Sequence, residues 1–140
     1  MPSKQSNGIR NLCGIAPFFL VPDVVKSAEF YRDTLGFSFE DFWGEPPEFV
    51  MVKRDGIIIM LRQADNPEQV RPNVADSALA LDAYLWVNDA DALYAEFTAK
   101  GVRVIHEPCV TFYDIKEFTI VDCNGFALAF GQDVDRKSVV

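Results

Sequence analysis

The fold is decided by residues 21–37, VPDVVKSAEFYRDTLGF. Asp23 is suited to begin a helix, because its carboxylate can accept hydrogen bonds from the free amides of the first turn. Apolar side chains then follow at helical spacing on one face: Val24, Ala28, Tyr31 and Leu35. Gly36 supplies a residue that tolerates positive φ, where helices commonly end. The stretch predicts an amphipathic helix between Asp23 and Gly36.

The same plan recurs 66 positions further along, with Asp89 in the place of Asp23. A second apolar stripe follows it, formed by Ala90, Leu93, Tyr94 and Phe97, and Gly101 ends the pattern. Self-similarity at a fixed offset is typical of a repeated supersecondary unit. The chain therefore reads as two halves of one plan.

Each half also contains four runs with the composition of β-strands. They are residues 15–21, 37–43, 48–54 and 56–62 in the first half, and 81–87, 102–108, 117–122 and 125–131 in the second. The hairpin signals Asp55-Gly56 and Asn124-Gly125 fall at matching places. The pattern predicts an α+β fold made of two βαβββ modules, in which the strands form a curled, barrel-like mixed sheet around a cleft.

The modules span residues 11–63 and 79–132, and together they make a single domain over residues 11–132. The polar segment 64–78 is interpreted as the linker between them.

In the last run, GFALAFG, the alanines Ala127 and Ala129 alternate with larger side chains. We expect this small face to leave room for a pocket.

Composition narrows the classes of function. The formal net charge is −8 and no Lys/Arg cluster stands out, which argues against nucleic acid and favours a cationic partner. No run is long enough to cross a membrane, and the polar first residues lack the apolar centre of a signal peptide, so we expect a cytoplasmic protein. The three cysteines are widely spaced, which predicts reduced thiols.

Three stretches carry a resemblance to a known family: residues 21–37, 83–102 and 116–131. In order and spacing they resemble the vicinal-oxygen-chelate superfamily of glyoxalases, extradiol dioxygenases and bleomycin-resistance proteins. The second half is most similar to the bleomycin-resistance branch, where an aromatic residue precedes an (Arg/Lys)-Glu-Phe triplet. Here Phe112 and Tyr113 precede the triplet at 116–118. The resemblance implies a homodimer that sequesters the drug in clefts between its subunits, lined by Trp43, Phe49 and Tyr113.

The resemblance also indicates where the ligands of a metal site would lie. Metal-dependent members of the superfamily use His and Glu ligands from four strand positions, which map here to Ala16, Met60, Asp82 and Ala129. A divalent ion needs about three protein donors, and this set offers one carboxylate. The single histidine, His106, is not part of a ligand-spaced pair. We expect neither a metal nor another cofactor.

Period-two alternation identifies the residues that share a face with the mapped positions. Phe18 and Leu20 share the face of Ala16, Ile58 and Arg62 that of Met60, and Tyr84 and Trp86 that of Asp82. A second aromatic set, with Phe42, lies among acidic residues at 40–48 and suits a flat or cationic ligand. The predicted ligand-binding residues are Phe39, Trp43, Phe49, Met60, Arg62, Asp82, Tyr84, Trp86, Phe112 and Tyr113. The alternative is that these side chains form the core or close a dimer contact.

The sequence leads to one principal function and two alternatives. The principal hypothesis is metal-free sequestration of an aromatic, cationic small molecule of the bleomycin type, which would confer antibiotic resistance without any catalytic residue. The first alternative is a metal-dependent glyoxalase- or dioxygenase-like enzyme acting on a small oxygenated substrate. The second is a protein–protein module whose cleft only closes the dimer.

Overall fold

The computed structural model of the protein describes residues 9–77 and 80–134. The elements follow in the order β1 (Phe18–Val21), α1 (Val24–Asp33), β2 (Phe49–Arg54), β3 (Ile57–Gln63), β4 (Ala83–Trp86), α2 (Ala90–Ala99), β5 (Arg103–Val110), β6 (Ile115–Val121) and β7 (Ala127–Asp133). Two short 3-10 turns, Pro67–Gln69 and Asn73–Ala75, lie in the linker, whose residue 78 is outside the described ranges. Neither helix in these ranges is long and apolar enough to span a membrane. The predicted α+β class is confirmed.

The two helices begin as the sequence predicts. Asp23 Oδ1 accepts a hydrogen bond from the Lys26 amide at 3.0 Å, and Asp89 Oδ1 accepts one from the Ala92 amide at 3.0 Å. The positive φ of Gly36, 78°, follows α1, and that of Gly101, 79°, follows α2. The predicted stripe of α1 is buried throughout, whereas in α2 the ends of the stripe are buried and its centre is half-buried.

A glutamine ties the last strand of each module to its helix. Gln63 Oε1 accepts a hydrogen bond from the Val24 amide at 2.9 Å. Gln132 Oε1 accepts one from the Ala90 amide at the same distance. Each glutamine satisfies a first-turn amide that has no partner within its helix. The repeat therefore extends to side-chain contacts that the periodicity of the sequence does not reveal.

The strands form two separate sheets. The first has the order β1-β3-β2 and the second β4-β7-β6-β5. In each module the first strand runs parallel to the last, and the last runs antiparallel to the strand before it. The first strands are shorter than predicted: β1 begins at Phe18 and β4 covers Ala83–Trp86.

The predicted strand at residues 37–43 is wrong. Only two isolated bridges join this segment to β2, Ser38 with Lys53 and Trp43 with Phe49. Five steps along the segment therefore lie opposite four steps along β2, and one extra residue breaks a regular ladder. The equivalent segment of the second module, β5, also shows register shifts in its pairing with β6. It keeps residue pairs along its length and therefore forms a strand.

The two modules share one hydrophobic core. The rings of Phe19 from β1 and Phe126 from the turn before β7 stack with centroids 4.3 Å apart. Arg54, at the end of β2, donates to both carboxylate oxygens of Glu96 in α2, at 2.8 and 2.9 Å. The contacts that join the modules are therefore side-chain contacts, since the sheets share no ladder.

A buried carboxylate, that of Asp122, forms a further contact between the modules. Asp122, only 5% exposed, accepts hydrogen bonds from Tyr31 Oη of α1 at 2.6 Å and from the amides of Asn124 and Phe126 at 2.8 and 2.9 Å. Burial raises the pKa of Asp122, and these three hydrogen bonds oppose the rise. Burial, followed by the charge of Asp122, also raises the pKa of Tyr31 well above its usual value. The group holds the first helix against the β6–β7 turn of the other module.

We predict that Tyr31→Phe destabilises the protein by about 1–3 kcal/mol, because a buried carboxylate oxygen loses its donor. The matched control is Tyr94→Phe, since the described residues offer no hydrogen bond to the Tyr94 hydroxyl and a surface-type change costs about 0.5 kcal/mol or less. Urea unfolding measures both variants. Equal losses of unfolding free energy in the two variants would contradict the assigned role of Asp122.

Candidate functional site

Each sheet has a core face, which carries its helix, and an open face on the other side. In the first sheet, Met60 pairs with Phe18 and with Met51, and Arg62 pairs with Phe49. Paired residues project to the same side of a sheet. Phe18 is 54% exposed whereas its neighbour Phe19 is 6% exposed, so the open face is the one that carries Met60 and Arg62.

On the second sheet the same alternation places Tyr84 and Trp86 on the open face. Tyr84 pairs with Ala129, and Trp86 with Gly131. Trp86 is 66% exposed, while Ala127 and Ala129 have no exposed surface. The alanines therefore let their neighbours pack closely, and they do not border open space as the sequence suggested.

Two tyrosines converge on one carboxylate oxygen of this face. Tyr84 Oη donates to Glu117 Oε1 at 2.7 Å, and Tyr113 Oη donates to the same oxygen at 3.2 Å. The ring of Trp86 lies 5.1 Å from that of Tyr84. We name Tyr84, Trp86, Tyr113 and Glu117 the tyrosine–glutamate cluster. Burial, and then the hydrogen bond to Glu117, raises the pKa of Tyr84, which therefore stays a neutral donor.

The cluster depends on a glycine beneath it. Gly131 on β7 lies opposite both Trp86 and Glu117. A methyl group added at Gly131 would overlap the Tyr84 hydroxyl oxygen and would lie 2.8 Å from the ring carbon Cζ. Only the absence of a side chain lets the Tyr84 ring lie against β7 and reach Glu117.

Asp82 has a different environment from the other residues of its face. Its Oδ1 accepts a hydrogen bond from the Asn73 amide in the linker at 2.8 Å, and its Oδ2 accepts one from the Ala127 amide at 2.9 Å. Both carboxylate oxygens are therefore used to fasten the linker to β7. Asp82 borders a groove, but its charge is already engaged by backbone donors.

The first open face carries its own aromatic group. The ring of Phe49 lies 5.5 Å from that of Trp43 and 6.0 Å from that of Phe18. Trp43 is 53% exposed. Arg62 on the same face lies 3.8 Å from a carboxylate oxygen of Glu48. Lys53, which pairs with Ile58, is a second exposed cation of this face. The face therefore offers an aromatic apolar surface with charges of both signs around it.

Two predicted residues lie at the margins of these faces. Phe39 contacts Phe42 at 5.2 Å, and the guanidinium of Arg32 lies 5.5 Å from the centre of its ring. Phe112 is 97% exposed, and its ring meets that of Tyr113 edge-on at 5.0 Å. Phe39 is therefore held in place by its neighbours, whereas Phe112 projects into solvent.

Five of the ten predicted residues border one of two cavities. A cavity of about 210 Å³ is lined by Phe39, Trp43, Met51 and Ile58. A groove of about 480 Å³ is lined by Asp82, Tyr84, Trp86 and residues 15–17. Ile57 and Ile59 of β3 also line this groove, which therefore lies between the two sheets.

The four mapped metal positions do not fit a divalent ion. Ala16, Met60 and Ala129 carry no strong donor, and Asp82 is bound to two amides. Across residues 9–77 and 80–134, no three His, Cys, Asp or Glu side chains come together as ligands. His106 lies exposed on β5, opposite Thr119. The four positions mapped from the sequence therefore lack the donor set of the superfamily's metal site.

Sequence reasoning missed Glu117 and Gly131. Glu117 lies in the Lys-Glu-Phe triplet that carried the resemblance, and that triplet was the available signal. The pairing of Glu117 with Gly131, and of Gly131 with Trp86, becomes evident only from the strand register.

Comparison with known proteins identifies the class. Residues 14–130 match the model of the Glyoxalase/Bleomycin resistance protein/Dioxygenase superfamily, and the chain belongs to that family. Among curated protein sequences, none matches this chain.

Several solved structures share the fold. The bleomycin-binding protein from bleomycin-producing Streptomyces verticillus, complexed with copper(II)-bleomycin, is 25% identical, with a TM-score of 0.65 over 87% of this chain and 97% of that one. A glyoxalase/bleomycin resistance protein/dioxygenase from Alicyclobacillus acidocaldarius is 17% identical, with a TM-score of 0.72 over 94% and 100%. Lactoylglutathione lyase from Agrobacterium tumefaciens is 19% identical, with a TM-score of 0.63 over 86% and 92%. The last two are similar in fold alone.

We predict that Gly131→Ala destabilises the protein by about 1–3 kcal/mol, because the added methyl displaces the Tyr84 ring. The control is Gly14→Ala, where an added methyl meets nothing within 4 Å. In a Tyr84→Ala background, Gly131→Ala should cost far less, which a double-mutant cycle of urea unfolding measures. Additive losses in that cycle would show that Tyr84 does not depend on Gly131.

Proposed function

We propose that this protein is a metal-free, homodimeric binding protein of the cytoplasm that captures an aromatic, cationic small molecule of the bleomycin type. It would protect its host by holding the ligand without making or breaking bonds. The observation that carries the proposal is the tyrosine–glutamate cluster on the open face of the second sheet. The similarity to a bleomycin-binding protein supports the choice of ligand class.

The cluster has the chemistry that recognises an organic cation. Glu117 accepts its two hydrogen bonds on Oε1, and it forms no ion pair with any cation of the described residues. Its charge is offset by neutral tyrosine hydroxyls alone, so an ammonium or guanidinium group of a ligand would be its counter-ion. The exposed ring of Trp86 beside it provides a surface for stacking and cation–π attraction.

The long-range charge of the chain acts in the same direction. A net charge of −8 attracts a cation during encounter and repels anionic competitors. The attraction is screened beyond a Debye length of roughly 8 Å at physiological salt. The predicted affinity therefore weakens as salt is added.

In a dimer, the two aromatic groups that lie apart in one chain can face the same ligand. Trp43 and Phe49 lie on one sheet and the tyrosine–glutamate cluster lies on the other, and each group is exposed within one chain. In the proposed assembly the open face of one protomer's first sheet lies across the ligand from its partner's second sheet. The ligand then has aromatic surface on both sides.

We predict that Glu117→Gln weakens the binding of copper(II)-bleomycin by about tenfold, since hydrogen bonds and contacts to a charged group contribute about 1.5–3 kcal/mol. The variant keeps an oxygen for both tyrosines and removes only the charge. Calorimetric titration of the purified dimer measures the affinity.

The matched control for this change is Glu107→Gln, which removes one exposed negative charge from β5. It should leave the affinity within about twofold, because its effect acts only through screened long-range attraction. Equal weakening in the two variants would mean that net charge alone governs binding, and the site at Glu117 would be discarded.

We predict that Trp43→Ala weakens ligand binding while the dimer stays folded, because the ligand loses one stacking surface. Trp43→Phe should restore a large part of the affinity, since a smaller ring still stacks. Sedimentation confirms the assembly, and calorimetry gives the affinity. Unchanged affinity in Trp43→Ala would remove this residue from the site.

A further inference from the structure

A crevice lies on the core side of the second sheet. It has a volume of about 320 Å³ and separates the β2–β3 turn of the first module from the start of α2. Its size lies in the range of small-molecule sites, which begin at roughly 300 Å³.

The floor of the crevice is apolar and rigid. Phe97 of α2 and Phe130 of β7 meet edge-on at 5.4 Å and are almost fully buried. Phe37 adds a third buried ring. The apolar side chains with surface left for a ligand are Ile57, Leu85, Val87 and Leu93. This lining suits the ring of a small aromatic molecule.

The rim of the crevice is polar and carries more negative than positive charge. Asp55, Asp89 and Glu96 border it, together with the single cation Arg54. Arg54 is already committed, because it donates to both oxygens of Glu96 and to the Leu35 carbonyl at 2.7 Å. Asp55, by contrast, has a side chain that is 88% exposed and lies 3.8 Å from Arg54 Nε. The rim therefore favours a cation and disfavours an anion.

We propose that this crevice is a second binding site, for a small aromatic amine in its ammonium form. The ring packs against Ile57, Leu85 and Leu93, and the ammonium group points to Asp55 at the mouth. Trp86, 66% exposed, stands at the same mouth and supplies a cation–π surface.

The crevice shares lining residues with the groove that contains Tyr84. Ile57, Leu85 and Trp86 line both this crevice and the groove that contains Tyr84. A molecule in the crevice restrains the Trp86 side chain, which also belongs to the tyrosine–glutamate cluster. Occupation of the crevice therefore changes the signal of the Trp86 indole N–H even when no antibiotic is present.

The test is titration of the isotope-labelled protein with benzylammonium, followed by two-dimensional NMR. Saturable shifts are expected at the Trp86 indole and at the amides of Asn88 and Leu93. Benzyl alcohol and benzoate are the neutral and anionic probes, and they should bind at least about tenfold more weakly if the rim charge contributes. Equal binding of the alcohol, or shifts that do not saturate at these positions, would overturn the proposal.

Two exposed alanines of α2 provide a matched pair of variants. Ala92 lines the crevice and Ala95 does not. Ala92→Phe should fill the crevice and weaken benzylammonium binding by about tenfold or more, whereas Ala95→Phe should leave it unchanged. Equal effects in the two variants would count against the site.

Asp55→Asn tests the charge at the mouth without straining the turn. Asp55 has a positive φ of 51°, a conformation that Asn adopts readily. The variant should weaken benzylammonium and leave benzyl alcohol unaffected, and parallel changes for both probes would contradict the assigned role. These outcomes do not depend on bleomycin binding, so this proposal and the proposed function can fail separately.

Discussion

The buried Asp122 carboxylate is the contact on which the arrangement of the modules depends. It joins α1 of the first module to the β6–β7 turn of the second, within a core where the two sheets share no backbone ladder. A buried charge that lost its donors would be strongly destabilising, so its three hydrogen bonds leave little freedom in how the modules meet. That packing sets both cavities beside Trp86: the groove between the two sheets and the crevice on the core side of the second sheet.

Much of the fold could be predicted from the sequence, because caps and periodicity are local signals. Asp23 and Asp89 begin the helices as expected, and the turn at Asp55-Gly56 has positive φ at both residues. The segment 37–43 could not be predicted correctly, since its composition is that of a strand. The segment forms no ladder because it has one residue more than β2 between the two bridges. This mismatch depends on both strands, so the sequence of the segment alone does not reveal it.

The site was predictable only in outline. Alternation places Tyr84 and Trp86 on the open face, as the pairing register has them. Alternation does not say what a side chain contacts, so it does not reveal that both oxygens of Asp82 accept backbone hydrogen bonds. Glu117 was overlooked for the same reason: its importance lies in two tyrosines brought to it by β4 and by the residues before β6, and in the glycine that gives Tyr84 room.

In the proposed function the open faces bind their ligand and leave it chemically unchanged. Chelator-treated protein titrated with bleomycin in a calorimeter, followed by mass spectrometry of the recovered ligand, tests it most directly. We expect saturable heat without any added divalent ion, an affinity that falls with salt, and a ligand of unaltered mass. Binding that requires one divalent ion per subunit, or a ligand recovered with a changed mass, would contradict it.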